Sequence, residues 1–125
     1  MTLPVRILIV DDEPDTVGLI ELTLKPAGFL IEKVFSGEEA LERIRSESFD
    51  LVLLDVMMPE IDGFEVIETL QGEKTPIPPF LFLTAKGRLV DVEKGQSLGA
   101  AGYLVKPATR GELLDAIQAS LYEQN

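Results

Sequence analysis

Leu51-Val52-Leu53-Leu54-Asp55-Val56-Met57-Met58-Pro59 is the stretch that decides how this chain folds. Four branched apolar residues in a row, uninterrupted by a polar one, read as a strand buried on both faces. Such strands belong to parallel sheets covered by helices on each side. Asp55 stands at the exit of that strand, and open α/β sheets bind ligands beyond the carboxyl ends of their strands. A second apolar run, Ile7-Leu8-Ile9-Val10, ends in Asp11-Asp12-Glu13. With the two strands side by side, several carboxylates meet in one crevice. That cluster repels itself unless a cation sits there or some carboxyls keep their protons. The expectation is a hard metal ion beside a carboxylate available for chemistry.

Outward from this stretch, strand and helix signals alternate. The strand signals cover Val5–Val10, Leu30–Phe35, Leu51–Asp55, Phe80–Thr84 and Gly102–Val105. The first helix follows Asp12-Glu13 with Pro14 near its start, and Pro26 and Gly28 close it. Ser36-x-x-Glu39 reads as a capping box for the second, with Ala40, Leu41 and Ile44 at helical spacing. The third opens at Asp62-Gly63-Phe64-Glu65 and carries Phe64, Ile67 and Leu70 on one face. The fourth covers Arg88–Leu98 with a thin apolar face, and Gly99 lies beyond its end. The fifth opens with Thr109-x-x-Glu112, another capping box, before Leu113, Leu114, Ile117 and Leu121. Strict alternation implies right-handed crossovers and helices on both faces. The fold class is α/β: a five-stranded parallel sheet, doubly wound and flavodoxin-like, with five alternating helices. Thr75-Pro76-Ile77-Pro78-Pro79 reads as a stiff loop inside one domain spanning 1–125.

Composition removes whole classes of chemistry. The 125 residues include no cysteine and no histidine. Disulfides, thiol nucleophiles, imidazole bases and His-ligated zinc are therefore out of reach. Acids outnumber bases 22 to 11, for a net charge of −11. This argues against direct contact with nucleic acids or anionic membranes, which need basic patches. No apolar run approaches the roughly 20 residues that span a bilayer. Met1-Thr2-Leu3-Pro4-Val5-Arg6 lacks the basic segment and long apolar stretch of a signal peptide. A cytoplasmic location is expected.

The strand ends carry a matched set of polar groups. The first strand is followed by Asp11 and Asp12, the third ends in Asp55, the fourth in Thr84, and Lys106 follows the fifth. A lone aspartate after a strand is ordinarily a helix N-cap; five polar residues in one register suggest a site. Asp12 and Asp55 offer the hard oxygens that suit Mg²⁺. Asp55 can act as a carboxylate nucleophile toward phosphorus, forming an acyl phosphate. Lys106 supplies a compact positive charge and Thr84 a hydroxyl donor for the transferred group.

Asp11-Asp12-Glu13-Pro14, Asp55 through Gly63, Leu83-Thr84-Ala85-Lys86 and Gly99 through Pro107 together resemble the receiver domain of two-component response regulators. The resemblance runs from about Val5 to Leu121. It implies that Asp55 takes a phosphoryl group from a sensor histidine kinase or phosphotransfer protein. It also implies that Asp11 and Asp12 hold Mg²⁺, Asp12 ahead of Asp11 as the direct ligand, and that the Met57 carbonyl completes the protein ligands. Lys106 would pair with phosphoryl oxygens, and the Lys106-Pro107 bond would be cis. Thr84 and Tyr103 would form the switch. The Thr84 hydroxyl moves to the phosphoryl group, Tyr103 turns inward, and the surface of the fourth helix, fifth strand and fifth helix changes. Taken alone, Tyr103 reads as a half-buried edge aromatic with its hydroxyl in water, and Met58 reads as core filling.

The resemblance further implies a downstream protein or a tethered output domain as the receiver of the signal, and a monomer or weak dimer. The dimerising subgroup carries paired acids before the tyrosine, where this chain has Ala101-Gly102, and arginines on the last helix, where it has Ala116, Gln118 and Ala119. Met57 offers no proton acceptor to an attacking water, which predicts intermediate to slow loss of phosphate. Enzymatic activity beyond its own phosphorylation and dephosphorylation is not expected. An aspartate-nucleophile phosphatase would place a second aspartate where Met57 stands. A flavodoxin-like binding module would need a phosphate loop where Asp11-Asp12-Glu13 stands. A degenerate receiver, binding partners without phosphorylation, is the remaining alternative.

Overall fold

In the computed structural model, which describes residues 3–122, all five strands run parallel in the order β2-β1-β3-β4-β5. They are β1 (Arg6–Val10), β2 (Leu30–Val34), β3 (Leu51–Leu54), β4 (Phe80–Thr84) and β5 (Gly102–Val105). The helices are α1 (Pro14–Leu24), α2 (Gly37–Ser46), α3 (Gly63–Gly72), α4 (Leu89–Ser97) and α5 (Arg110–Tyr122). Order and type agree with the alternation of the sequence. The first three strands and α4 are shorter than expected. Val5 lies outside β1, although its carbonyl accepts from Leu30 N at 2.9 Å. Phe35 lies beyond β2, and Asp55 lies in the loop after β3. Met1 and Thr2, which carry part of the leader reading, and residues 123–125 lie outside the described residues.

The two-residue period of the strands splits the core in two. Leu8, Val10, Val52, Leu54, Phe80 and Phe82 face Ala40, Leu41 and Ile44 of α2 and Phe64, Ile67 and Leu70 of α3. Ile7, Ile9, Leu51, Leu53, Leu81 and Leu83 face Val17, Ile20 and Leu24 of α1 and Leu113 and Ile117 of α5. Every residue of β3 is buried, and each such side chain contributes about 1.5–3 kcal/mol. The edge strand β2 differs, since only Val34 of it is buried.

Local chemistry sets the helix ends. Pro14 opens α1; Lys25–Ala27 form a single 3-10 turn, and Gly28 closes it at φ +98°, a conformation that glycine adopts without a Cβ clash. Thr109 and Glu112 exchange both bonds of a capping box, at 3.1 and 2.9 Å. Asp62 and Glu65 do the same for α3, at 2.8 and 3.1 Å, a box not expected from the sequence. At Ser36 the cap is one-sided: its hydroxyl accepts from Glu39 N at 3.1 Å, while Glu39 reaches back to the hydroxyl and not to the Ser36 amide. The thin apolar face of α4 has a plain cause, because its two buried positions are Asp91 and Gly95. Among the described residues no helix is long and apolar enough to cross a membrane.

Candidate functional site

Strand register gathers the polar strand ends. Val10 pairs with Leu54, so Asp11 and Asp55 leave the sheet side by side. Thr84 pairs with Val105, so Lys106 emerges one step beyond Thr84. Two backbone bonds continue the ladder past the strand ends: Asp55 N to Val10 O at 2.9 Å, and Lys106 N to Thr84 O at 2.8 Å. Gly63 seals the loop after Asp55 from below. Its N–H donates to Val56 O at 2.9 Å, and a Cβ there would stand 2.3 Å from the Asp55 carbonyl oxygen. No other residue fits without moving that loop.

The resulting crevice is acidic and mostly dry. Asp11 is 2 %, Asp55 4 % and Thr84 0 % exposed, while Asp12 is more open to solvent. Carboxylate oxygens of Asp11, Asp12 and Asp55 lie within 4.8 Å of one another. Lys106 Nζ lies between two of them, 2.6 Å from Asp11 Oδ2 and 3.3 Å from Asp55 Oδ2. Backbone N–H groups take the remaining oxygens: Glu13 donates to Asp11 Oδ1 at 3.0 Å, and Met57 to Asp55 Oδ1 at 3.2 Å. The Lys106-Pro107 peptide is cis.

Burial pushes the Asp55 carboxyl above the usual carboxylate range, and the Asp11 charge adds to this; the Thr84 hydroxyl, Lys106 and the Met57 amide pull the other way without reversing it. Burial would depress the Lys106 ammonium, but its hydrogen bond to Asp11 and the Asp55 charge outweigh that and leave it raised. One lysine thus serves two buried carboxylates, and the site has room for more positive charge. The donor set suits Mg²⁺, whose compact octahedral shell prefers hard oxygens. Asp11, Asp12 and Asp55 supply such oxygens close enough to share one ion.

Thr84 and Tyr103 meet at a residue to which the sequence reading assigned no role. The Lys86 N–H donates to Thr84 Oγ1 at 3.2 Å, and the Tyr103 hydroxyl donates to the Lys86 carbonyl at 2.5 Å. Tyr103 is half-buried with its ring 5.6 Å from that of Phe82 and its hydroxyl on the Lys86 carbonyl, so the inward position expected after phosphorylation is already occupied here and the hydroxyl is not left to water. Burial, with the charges of Asp91 and Asp55, pushes its phenol up to about 12. No motif could have singled out Lys86, because both contacts use its backbone. Met58 is buried in the core, whereas Met57 is 55 % exposed beside Asp55.

The family model for the response regulator receiver domain matches residues 7–118. Regulatory protein VanRc of Enterococcus gallinarum is 38 % identical over 116 residues, covering 93 % of this chain and 49 % of that protein. The alkaline phosphatase synthesis transcriptional regulatory protein PhoP of Bacillus subtilis (strain 168) is 40 % identical over 116 residues, covering 93 % of this chain and 48 % of that protein. The chain therefore spans about half the length of the curated relatives it matches. Among solved structures, chemotaxis protein CheY4 of Vibrio cholerae has a TM-score of 0.86 at 32 % identity, covering 95 % of this chain and 100 % of that one. A CheY-like receiver domain protein from Methanospirillum hungatei JF-1 has a TM-score of 0.89 at 29 % identity, covering 98 % of this chain and 97 % of that one.

Proposed function

Because this chain belongs to the response regulator receiver domains of two-component signalling, we propose that Asp55 is its phosphoryl acceptor and that Thr84 and Tyr103 carry the resulting change to a partner face. The observation behind this reading is the convergence of Asp11, Asp12 and Asp55, with Lys106 held between Asp11 and Asp55.

An Asp55 oxygen attacks the phosphorus of a phosphohistidine on a histidine kinase or phosphotransfer protein. The new O–P bond forms as the P–N bond breaks, and the departing imidazole takes a proton from solvent. Lys106, close to Asp55 Oδ2, releases one of its carboxylate contacts and pairs with a phosphoryl oxygen. Thr84 donates its hydroxyl to another, giving up its hydrogen bond to the Asp55 carboxylate. Asp11, Asp12, Asp55 and the Met57 carbonyl would hold Mg²⁺, which would neutralise the acids and offset the negative charge of the transferred group. Hydrolysis by water returns Asp55 and free phosphate. Met57 offers this water no proton acceptor, so the acyl phosphate decays at an intermediate to slow rate. No reaction on any other substrate is proposed.

The end of α1 receives the donor, and the α4–β5–α5 face meets a downstream protein or tethered output domain in the cytoplasm. Without the paired charges of the dimerising subgroup, that face supports a monomer or weak dimer. The test is intact mass after incubation with acetyl phosphate, with and without Mg²⁺, beside Asp55→Ala. One phosphoryl group gained only with Mg²⁺ and only with Asp55 present is expected. No gain under any condition would reject the acceptor reading and leave a phosphorylation-independent binding module.

A further inference from the structure

Gly95 lies in the interior of α4 and is buried, although glycine weakens a helix relative to alanine. What it leaves open explains its place. A Cβ on this residue would stand 2.8 Å from Tyr103 Cδ2, 3.2 Å from Tyr103 Cε2 and 3.1 Å from Phe82 Cδ2. These neighbours differ in their freedom. Phe82 is fully buried, with Phe64 and Phe80 against it edge-on at 5.2 and 5.6 Å. Tyr103 borders solvent and can swing away by rotating about its Cα–Cβ bond. A methyl group at position 95 would therefore displace the tyrosine ring. It would also break the bond from its hydroxyl to the Lys86 carbonyl, since hydroxyl and ring move as one body.

We infer that Gly95 is a positioning residue of the switch, its missing side chain forming the recess that seats Tyr103 inward with the hydroxyl on the β4–α4 loop. The inference rests on the switch reading above for its signalling consequence, though not for its geometry. It implies that a Cβ at position 95 uncouples the Asp55 end of the molecule from the α4–β5 surface without touching the acid crevice.

The experiment uses Gly95→Ala in the full chain, alone and combined with Tyr103→Ala. By NMR, nuclear Overhauser contacts from the Tyr103 ring to the Lys86-Gly87 segment are present in the parent and lost in Gly95→Ala. In urea unfolding, Gly95→Ala lowers the midpoint of the parent by clearly more than that of the Tyr103→Ala background, where only the Phe82 contact and the helix preference of alanine remain. Persistence of the Tyr103 contacts in Gly95→Ala, or equal midpoint shifts in both backgrounds, would overturn the inference by showing that α4 yields and not the ring. With acetyl phosphate and Mg²⁺, Gly95→Ala gains as much phosphoryl by intact mass as the parent, yet its α4 and β5 amide shifts no longer move. Movement equal to the parent's would again overturn it. If neither protein gains a phosphoryl group, the acceptor reading fails, while the ring contacts and midpoints still decide the role of Gly95.

Discussion

The two ends of the sheet handle charge in opposite ways. Below β1 and β3, Arg6 and Arg43 face Glu32 and Glu47 in a balanced cluster. Arg6 Nη2 lies 2.5 Å from Glu47 Oε1, Arg43 Nη2 lies 2.6 Å from Glu32 Oε1, and Arg43 also pairs with Glu47. Both guanidiniums lie over the Phe49 ring, 4.5 and 5.8 Å from its centroid. Hydrogen bonds from Arg43 and Arg6 hold the Glu47 carboxyl below the ordinary carboxylate range. At the other end Asp11, Asp12 and Asp55 share Lys106, and the Asp55 carboxyl is pushed up. The base has settled its electrostatics within the fold. The crevice keeps a deficit of positive charge, which a bound cation would relieve. Charge is balanced at one end of the strands and unbalanced at the other.

The largest test of this contrast is Lys106→Met. It leaves Asp11 and Asp55 with no lysine, and a loss of about 3 kcal/mol is expected in Mg²⁺-free buffer. Urea unfolding checks it, and added Mg²⁺ recovers part of the loss through binding to the folded state. Next, Phe49→Leu at the base removes the ring beneath both guanidiniums and costs about 1.5 kcal/mol. Its urea midpoint shift is expected to be the same with and without Mg²⁺; a Mg²⁺-dependent shift would break the separation of the two ends.

Asp55→Asn should move stability upward, by about 1 kcal/mol at neutral pH without Mg²⁺. The sign follows from the raised Asp55 carboxyl, which binds its proton more tightly in the folded state than in the unfolded chain. Folding is therefore favoured in acid, and that advantage is lost as pH rises from the ordinary carboxylate range through the raised folded value. The gain from Asp55→Asn should accordingly shrink on acidification. Thermal unfolding of parent and variant across this range checks it, and a gain that grew in acid would contradict the charge-deficit account. The smallest effect is at Glu60, which sits in the loop after Asp55 at φ +68°. Left-handed backbone costs a side chain about 1 kcal/mol, partly offset by the greater unfolded freedom of glycine. Glu60→Gly should gain about 0.5 kcal/mol in urea, and so should Lys74→Gly (φ +61°) after α3, since this local cost is the same at both ends of the sheet.

Much of this was legible along the chain, for identifiable reasons. The runs around Leu8, Leu53 and Phe82 are buried on both faces, so hydrophobicity alone marks them as central parallel strands. The ends were harder. Asp55 keeps a strand-like bond to Val10 O while lying outside β3, because the ladder fades over one residue instead of stopping. The Thr109 box was readable because both partners lie three residues apart. The Asp62 box has the same spacing at a helix start that the sequence already marks, but with aspartate in place of the serine or threonine of the other two.

The sequence by itself determined the order of elements, the two-faced core and the identity of the polar residues at the strand ends, since these depend on local periodicity and side-chain chemistry. Only the tertiary structure decided that Lys106 is shared between Asp11 and Asp55, that Gly63 supports the Asp55 backbone, and that Gly95 opens a recess for Tyr103. It alone decided that Thr84 and Tyr103 meet at the Lys86 peptide. These contacts join residues distant in the chain, often through backbone atoms that every residue carries. Strand register and the approach of helix to sheet place them, and neither is written in any local stretch.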